Sequence, residues 1–398
     1  GKTLRFSEMP DRVVQHRPGE CAECGCPLED VLAIAEATQR RQVVDLPPLR
    51  LETTEHHSHL IRCPECSSLN RGPFPAEAPD CVQYGPHLKA LGLYLMSYQL
   101  LPYGRTAQLL CDLFGASPSE GTLHQTQQSA ALELTGVEEG IRESLRQAEV
   151  THFDETGVYI ESKRQWLHVA STRHLTLYYS HPKRGEGGTR AMGVLPGFRG
   201  VAVHDGYSSF RAYQCLHALC NAHHLRELVA LEEQGQAWAA QMKGLLCEIK
   251  ASVDMSTEAW KHAMEAQSLL EFEGRYRQLV SEGFEANPPN PPPKEPRRGK
   301  VKQSKAYNLL VRLRDYEEDV LRFMHDLRVP FDNNQAERDL RMVKVRQKVS
   351  GCFRSQRGAE AFCRIRGYIS TLCKQRLHVL SALVQLFRGA PIMPSLTG

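Results

Sequence analysis

Three short acidic motifs constrain this chain more than any other feature of its sequence. The motifs are Asp154-Glu155-Thr156, His204-Asp205-Gly206-Tyr207 and Asp332-Asn333-Asn334-Gln335-Ala336-Glu337-Arg338. The first two end or follow apolar runs rich in β-branched residues. The third opens a basic helical segment. Two aspartates on neighbouring strands and a glutamate on a later helix can hold two divalent cations, which activate an attacking oxygen and stabilise a leaving one. A single Asp-Gly pair is usually a turn. The ordered set therefore predicts an α/β fold with a two-metal site.

These motifs resemble the catalytic core of bacterial DDE transposases, and most closely the insertion-sequence-66 transposase family. The matching text also contains Cys220-Asn221-Ala222-His223, Arg341, Arg346-Gln347-Lys348 and Gly358-Ala359. The resemblance runs from about Val13 to Pro394. It implies a ribonuclease-H-like core in which Asp154, Asp205 and Glu337 bind Mg²⁺ or Mn²⁺. It also implies DNA transposition, a recombination reaction that cleaves the ends of an insertion sequence and joins them to new DNA.

The same resemblance implies the partners of the chain. They are the terminal inverted repeats and the target DNA of a mobile element, on which the chain is expected to act as a homo-oligomer. Accessory proteins of the same element are further candidate partners, and the expected location is the bacterial cytoplasm, in association with the nucleoid. Two alternatives stay open at this point. One is a catalytically inactive relative that only binds DNA, and the other is a zinc-dependent hydrolase built on Cys220 and His223.

Composition supports a large protein of the reducing cytoplasm. The chain has 398 residues, of which 41% are hydrophobic, so we expect two or three domains with their own cores. No run approaches the ~18 to 20 apolar residues that a membrane span needs, and no signal segment is visible at the start. The thirteen cysteines are scattered apart from one N-terminal group, which is typical of a reducing compartment.

The pattern along the chain predicts several regions. They are a zinc-binding domain at 1–80, a helical region at 81–149, a catalytic domain in two segments at 150–216 and 328–398, and a helical insertion at 217–327 with a Pro-rich linker at 284–305. Helical periodicity from His217 to about Gly283 predicts the insertion. Prolines and then basic residues predict the linker.

Two cysteine pairs predict the zinc site. Cys21 and Cys24 form one Cys-x2-Cys pair, and Cys63 and Cys66 form another. Each pair can form a knuckle, and four thiolates satisfy one tetrahedral Zn²⁺ with a structural role. Competing ligands are close by in the sequence: Cys26, His56, His57 and His59.

The central part of the chain predicts a sheet. Residues 150–161, 165–171 and 175–180 are rich in β-branched and aromatic residues and predict three sequential antiparallel strands. A helix is predicted near 189–195 and a fourth strand at 200–205. The ribonuclease-H-like sheet that the resemblance implies places this strand beside the first. The glycines at 185, 187 and 188 predict a flexible turn. Ahead of the sheet, residues 105–126 predict either a helix-turn-helix or an ordinary pair of antiparallel helices.

Basic residues concentrate near the C-terminus. Residues 338–376 contain eleven Lys or Arg and two acidic residues, a local charge of +9, so with a net charge of +3 the rest of the chain carries −6. Such an uneven distribution predicts a surface that meets a polyanion. The candidate DNA contacts are Arg338, Arg341, Lys344, Arg346 and His223. Asn333 and Asn334 are expected either to cap the helix that follows or to orient the site.

Overall fold

The computed structural model describes residues 5–30, 39–47, 49–75, 77–260, 263–291 and 301–396. Residues 292–300 of the predicted Pro-rich linker lie outside this description. The chain divides into two compact units, Gly1–Thr53 and Thr54–Gly398.

The first unit contains a tight turn at the first cysteine pair. Glu20 and Pro27 form an antiparallel bridge, and the amide of Cys21 donates to the carbonyl of Cys26 at 2.9 Å. Gly25, with φ of 73°, donates to the carbonyl of Cys21 at 2.9 Å. A glycine suits this position because its backbone has to adopt the left-handed conformation.

The second unit is a mixed α/β structure. Its strands are β1 (Leu60–Arg62), β2 (Leu69–Arg71), β3 (Val150–Ile160), β4 (Lys163–Ser171), β5 (Thr176–His181), β6 (Val201–His204) and β7 (Leu216–Leu219). Its helices are α1 (Pro86–Leu93, continued by a π-helical turn at Tyr94–Tyr98), α2 (Tyr103–Phe114), α3 (Glu120–Glu133), α4 (Thr135–Gln147), α5 (Glu186–Met192), α6 (Asn221–Glu232), α7 (Ala237–Glu258), α8 (Ala266–Ala286), α9 (Lys305–Asp315), α10 (Glu317–His325), α11 (Asn334–Ser350), α12 (Gln356–Lys374) and α13 (Val379–Phe387).

Five strands form the central sheet in the order β5-β4-β3-β6-β7. Strands β3, β4 and β5 pair antiparallel, which confirms the prediction of three sequential antiparallel strands. Strand β6 lies parallel to β3, and β7 lies parallel to β6. Strand β7 is a correction, because residues from His217 onward were predicted to be helical. It is only four residues long and leads at once into α6, so its alternation is hidden by the helical pattern after it.

Helices cover both faces of the sheet because successive strand residues point to opposite sides. Phe153, Ala170 and Ala202 face a core that includes side chains of α1, α3, α4, α12 and α13. On the opposite face, Val158 and Val169 pack with α11 and α12. Near β6 and β7 that face is covered by the helical insertion, α6 to α10. The sheet is therefore buried on both sides, and its strand ends are left to carry polar side chains.

The region between β5 and β6 differs from the prediction. Helix α5 begins at Glu186 and is followed by a 3₁₀ turn at Leu195–Gly197, so Gly187 and Gly188 lie inside a helix and not in a flexible turn. Gly188 packs so tightly that an added Cβ would stand 2.4 Å from Nε2 of His168. The glycine is needed for close packing of α5 on the sheet.

A helix, a turn and a second helix precede the sheet as predicted. Helix α2 ends at Gly115 in the left-handed conformation, and the side chain of Ser119 caps α3 by accepting from the amide of Thr122. Helix α3 buries Leu123 and Ala130. Both readings of this region, a DNA-binding helix-turn-helix and a simple helical pair, stay predictions.

Candidate active site

The sheet brings the first two acidic motifs to one place. Asp154 lies in the middle of β3, and Asp205 follows the last residue of β6. The parallel register of β3 and β6 pairs Val150 with Val201 and His152 with Val203. The pairing ends there, two residues before Asp154 and Asp205 on their respective strands. Their carboxylates interact electrostatically.

The third motif reaches the same site from α11. Glu337 lies in the first turn of that helix, and α11 packs against β3 and β4. The carboxylate of Glu337 contributes to the electrostatic environment of Asp154. The site thus collects three carboxylates, from β3, from the end of β6 and from the start of α11. The sequence predicted that these three residues bind the catalytic metal ions, and that role stays a prediction.

Backbone amides hold the two aspartates. Oδ1 of Asp154 accepts a hydrogen bond from the amide of Glu155 at 2.8 Å, and Oδ1 of Asp205 accepts from the amide of Tyr207 at 2.9 Å. Each bond engages one oxygen and orients the other for a ligand. Asp side chains commonly make such short-range bonds to a nearby backbone amide.

Asn333 orients the site and does not cap α11. Its side chain makes no capping bond. Instead, its amide nitrogen donates to the carbonyl of Phe153 at 2.9 Å, and its side-chain oxygen lies 2.8 Å from Nδ1 of His152. The amide of Asn334 donates to Oδ1 of Asp332 at 2.9 Å. The capping interpretation of Asn333 is therefore wrong, and the orienting interpretation agrees with the structure.

Burial and neighbouring carboxylates raise the proton affinity of Asp154. Burial raises the pKa of Asp154 to about 7, and the negative charges of Glu155, Asp205 and Glu337 add to this effect. Desolvation and like charges both disfavour an ionised carboxylate. A site of this kind is stabilised by bound cations, since a divalent ion offsets the repulsion between the acidic groups.

Glu155 is a fourth carboxylate that the sequence did not single out. Its side chain is 1% exposed and pairs with Arg184 at 2.8 Å, while its Oε2 atom has no hydrogen-bond partner among the described residues. Burial raises its pKa. The guanidinium of Arg184 lies over the rings of Tyr207 and Trp166, at 4.1 and 4.8 Å. In the sequence, only its position beside Asp154 pointed to a role for Glu155 in the site. Nothing in the sequence pointed to Arg184.

Cys220 and His223 also reach Glu337. A ligand atom from each of these three side chains lies within 4.8 Å of the other two. Nδ1 of His223 is 3.8 Å from Oε1 of Glu337, and Arg226 approaches Oε2 of Glu337 at 3.5 Å. Over the described ranges, this is the one group of three Cys, His or acidic side chains close enough to share a metal ion.

The basic segment is only partly on the surface. Seven of its eleven cations are exposed: Arg338, Arg341, Lys344, Lys348, Arg354, Arg357 and Arg376. The others turn inward. Arg346 lies 3.6 Å from the ring centroid of Phe353, Arg364 pairs with Glu138, and Lys374 pairs with Asp339. Arg366 is buried. Since burial lowers the pKa of Arg346 to about 10, we regard it as a packing residue.

The fold and the site together describe a mixed α/β protein with clustered carboxylates. The profile of the IS66 transposase family matches residues 81–361, and the chain belongs to that family. The chain is also similar to an uncharacterized protein, y4hP, of Sinorhizobium fredii (strain NBRC 101917 / NGR234), with 26% identity over 390 residues. That match covers 88% of this chain and 66% of the relative. In the part of the chain that the structure describes, no helix is long and apolar enough to cross a membrane.

Proposed function

We propose that this chain cleaves DNA at the ends of an insertion sequence and transfers the cut strand, with Asp154, Asp205 and Glu337 as the catalytic triad. The observation that carries the proposal is the convergence of these three carboxylates in a chain of the IS66 transposase family. The topology supports a ribonuclease-H-like core. In such a sheet the strand that ends in the second aspartate lies beside the strand that carries the first, as β6 lies beside β3.

The acidic residues suit Mg²⁺ or Mn²⁺. Hard cations prefer carboxylate oxygens and retained waters, and Asp154, Asp205 and Glu337 would hold them. Two observations support this fit: the raised pKa of Asp154, and the absence of a hydrogen-bond partner for Oε1 of Glu337 among the described residues. When bound, two such ions supply an activated nucleophile and neutralise charge on the leaving oxygen.

The protein itself would position the carboxylates and the DNA strand relative to each other. Asn333 ties the start of α11 to β3, which fixes Glu337 relative to Asp154. Exposed cations then continue from the site along α11: Arg338, Arg341 and Lys344. Cations placed this way attract the phosphates of a DNA strand and set its register, without reading its sequence. A scissile phosphate would thus be led to the carboxylates by the same helix that carries Glu337.

The test is cleavage of a labelled duplex that carries the terminal repeat of the element, in Mg²⁺. Asp154→Asn, Asp205→Asn and Glu337→Gln should each abolish cleavage and leave DNA binding nearly unchanged. Glu360→Gln is the matched control, because Glu360 is an exposed acidic residue on α12. Near-normal cleavage by Asp205→Asn would refute the triad.

One observation favours the zinc-dependent hydrolase as a second candidate. It is the approach of Cys220 and His223 to Glu337, since three protein ligands and an open position are typical of catalytic zinc. Chelator-treated protein separates the two functions. Recovery of cleavage with Mg²⁺ or Mn²⁺ supports the transposase, and recovery with Zn²⁺ alone supports the hydrolase.

A further inference from the structure

We infer that Cys220, His223 and Glu337 form a zinc site that competes with the catalytic divalent ion for Glu337. Zinc bound there would inhibit the enzyme. The inhibition rests on the proposed function, because it requires Glu337 to serve catalysis. The existence of the zinc site does not rest on it.

The three ligand atoms stand at distances that one zinc ion can bridge. Zinc binds sulfur at about 2.3 Å and nitrogen or oxygen at about 2.0–2.2 Å, so two ligands in a tetrahedral site stand roughly 3.3–3.8 Å apart. Nδ1 of His223 and Oε1 of Glu337 are 3.8 Å apart. All three ligand atoms fall within 4.8 Å of one another, so a side-chain adjustment of about an ångström closes the site.

The ligands come from two helix starts that are bonded to each other. Cys220 is the N-cap of α6, and His223 lies in its first turn. The amide of Asn221 donates to the carbonyl of Phe331 at 3.0 Å, and the amide of Asn333 donates to Sγ of Cys220 at 3.1 Å. These bonds fix α6 against the residues that open α11. A site on rigid elements needs little ordering when a metal binds.

Two of the ligand atoms lack partners. Nδ1 of His223 and Oε1 of Glu337 are shielded from solvent and make no hydrogen bond to any described residue, while Cys220 is 1% exposed. Buried polar atoms nearly always have a partner. A bound cation supplies one to both atoms at once. Arg226, 3.5 Å from Oε2, can keep its contact with the other oxygen of Glu337.

The donor set selects zinc over magnesium. A thiolate and an imidazole favour zinc, whereas Mg²⁺ prefers oxygen ligands and retained water. The carboxylate is the shared member of the two sets. Once Oε1 of Glu337 binds zinc, the proposed catalytic site loses a ligand and should hold its own divalent ion less tightly.

Zinc stoichiometry tests the site. Chelator-treated full-length protein is dialysed against Zn²⁺ and its zinc content is measured by elemental analysis. Wild type should bind about one zinc more than Cys220→Ser and one more than His223→Gln. The control is Cys215→Ser, whose cysteine lies before β7 with Sγ 4.0 Å from Nε2 of His217; it should match wild type. The N-terminal cysteines are the same in all four proteins, so any zinc that they bind cancels.

Equal zinc content in wild type and both site variants would overturn the proposal. If Cys220→Ser fails to fold, His223→Gln decides the question, because His223 has an exposed fraction of 37% in its side chain and its replacement removes no core packing. Circular dichroism establishes that each variant is folded before its zinc is counted.

Mn²⁺ binding, followed by electron paramagnetic resonance, tests the competition. Prior loading with Zn²⁺ should weaken Mn²⁺ binding to wild type by at least about tenfold, and should have little effect in Cys220→Ser. Unchanged Mn²⁺ binding in zinc-loaded wild type would overturn the shared-ligand claim. Failure of zinc-free wild type to bind Mn²⁺ would instead refute the catalytic metal site, while the zinc stoichiometry would still support the zinc site.

Discussion

The side-chain oxygen of Asn333 lies 2.8 Å from Nδ1 of His152. The amide group of Asn333 donates to the carbonyl of Phe153, so its oxygen is the acceptor in the bond to His152, and Nδ1 of His152 carries the proton. Burial lowers the pKa of His152, which keeps the ring neutral and suited to this bond. One buried amide thus joins the strand of Asp154 to the helix of Glu337.

Replacement of Asn333 should therefore affect stability and catalysis together. Asn333→Ala leaves the carbonyl of Phe153 and the ring of His152 without a partner, and each buried polar group left unpaired costs about 1–3 kcal/mol. We expect the free energy of unfolding to fall by that order, and cleavage to fall with little change in DNA affinity. Urea unfolding and a cleavage assay measure both. Asn308→Ala, at an exposed position on α9, is the control; wild-type stability in Asn333→Ala would contradict the prediction.

The exposed cations of α11 should govern the salt dependence of DNA binding. Each phosphate contact contributes about −0.9 to the slope of log affinity against log salt on duplex DNA. The double variant Arg341→Ala, Lys344→Ala should lose affinity for all sequences alike and flatten the slope by up to about two units. Titration of labelled duplex at several salt concentrations measures the slope.

The control for this experiment is Lys305→Ala, Arg314→Ala, which removes two exposed cations from α9. If the α11 variant keeps the wild-type slope and affinity, DNA does not follow this helix. Arg346→Ala should behave differently from both, because Arg346 packs on Phe353 and donates to the carbonyl of Gly351. It should lower the free energy of unfolding and leave the salt slope of DNA binding close to that of wild type.

His168 should make the protein less stable in mild acid. Burial lowers its pKa from 6.5 to about 4, so between these values the unfolded chain binds a proton that the folded protein does not. Stability then falls as the pH drops from 6.5 toward 4, by at most about 1.4 kcal/mol per pH unit. His168→Gln removes this proton uptake. Its free energy of unfolding should therefore fall less steeply with decreasing pH, by up to about 1.4 kcal/mol per pH unit. Urea unfolding at several pH values from 7 to 4 measures the free energy of unfolding. His16 is exposed, so His16→Gln is the control. An equal pH dependence of the free energy of unfolding in wild type and His168→Gln would count against the prediction.

Structural zinc in the N-terminal region stays a prediction that the local geometry of each cysteine pair supports. A turn at Cys63 is closed by its amide, which donates to the carbonyl of Ser68 at 2.8 Å. A hydrogen bond with the Ser68 side chain lowers the pKa of Cys66 to about 7, and backbone amides lower the pKa of Cys21. Thiolates are the form that binds zinc.

We expect Cys63→Ser, Cys66→Ser to lose about one zinc per chain relative to wild type, and to lose stability because structural zinc contributes folding energy. Elemental analysis of protein purified without chelator gives the count. The exposed cysteines Cys81 and Cys111 provide a matched double control, Cys81→Ser, Cys111→Ser. An equal zinc content in both double variants would exclude a zinc ion at this position.

Sequence reasoning predicted the parts of the fold that depend on local pattern. The strands around Asp154 and before Asp205 alternate or are continuously apolar, so their identity was accessible from pattern, whereas their adjacency was expected only from the family resemblance. Strand β7 was not, since four residues carry too little pattern beside a long helix. The sequence also did not show that four cations of the basic segment are partly or fully buried. Arg364 and Lys374 pair with Glu138 and Asp339, and no local pattern in the basic segment marks which of its cations will find a buried acidic partner.

The site shows the same division. The acidic triad was expected from the motifs that carry the family resemblance, but the role of Asn333 depends on His152 and Phe153, about 180 residues earlier in the chain. An Asn beside a helix start can cap the helix or orient a site, and the sequence left both roles open. Tertiary contacts decided between them. Arg184 and Glu155 meet only once β4 and β5 have placed the loop after His181 beside β3.

The bonds between Cys220 and Asn333, and between Asn221 and Phe331, close the base of the helical insertion. Between Asp205 and Glu337 the chain makes an excursion of 131 residues, yet it leaves and returns at neighbouring backbone positions. The number of residues between Asp205 and Glu337 therefore does not determine the distance between their carboxylates. Evolution can lengthen or shorten such an excursion at its outer end without moving either carboxylate, so spacing along the sequence is a poor guide to catalytic geometry in chains built this way.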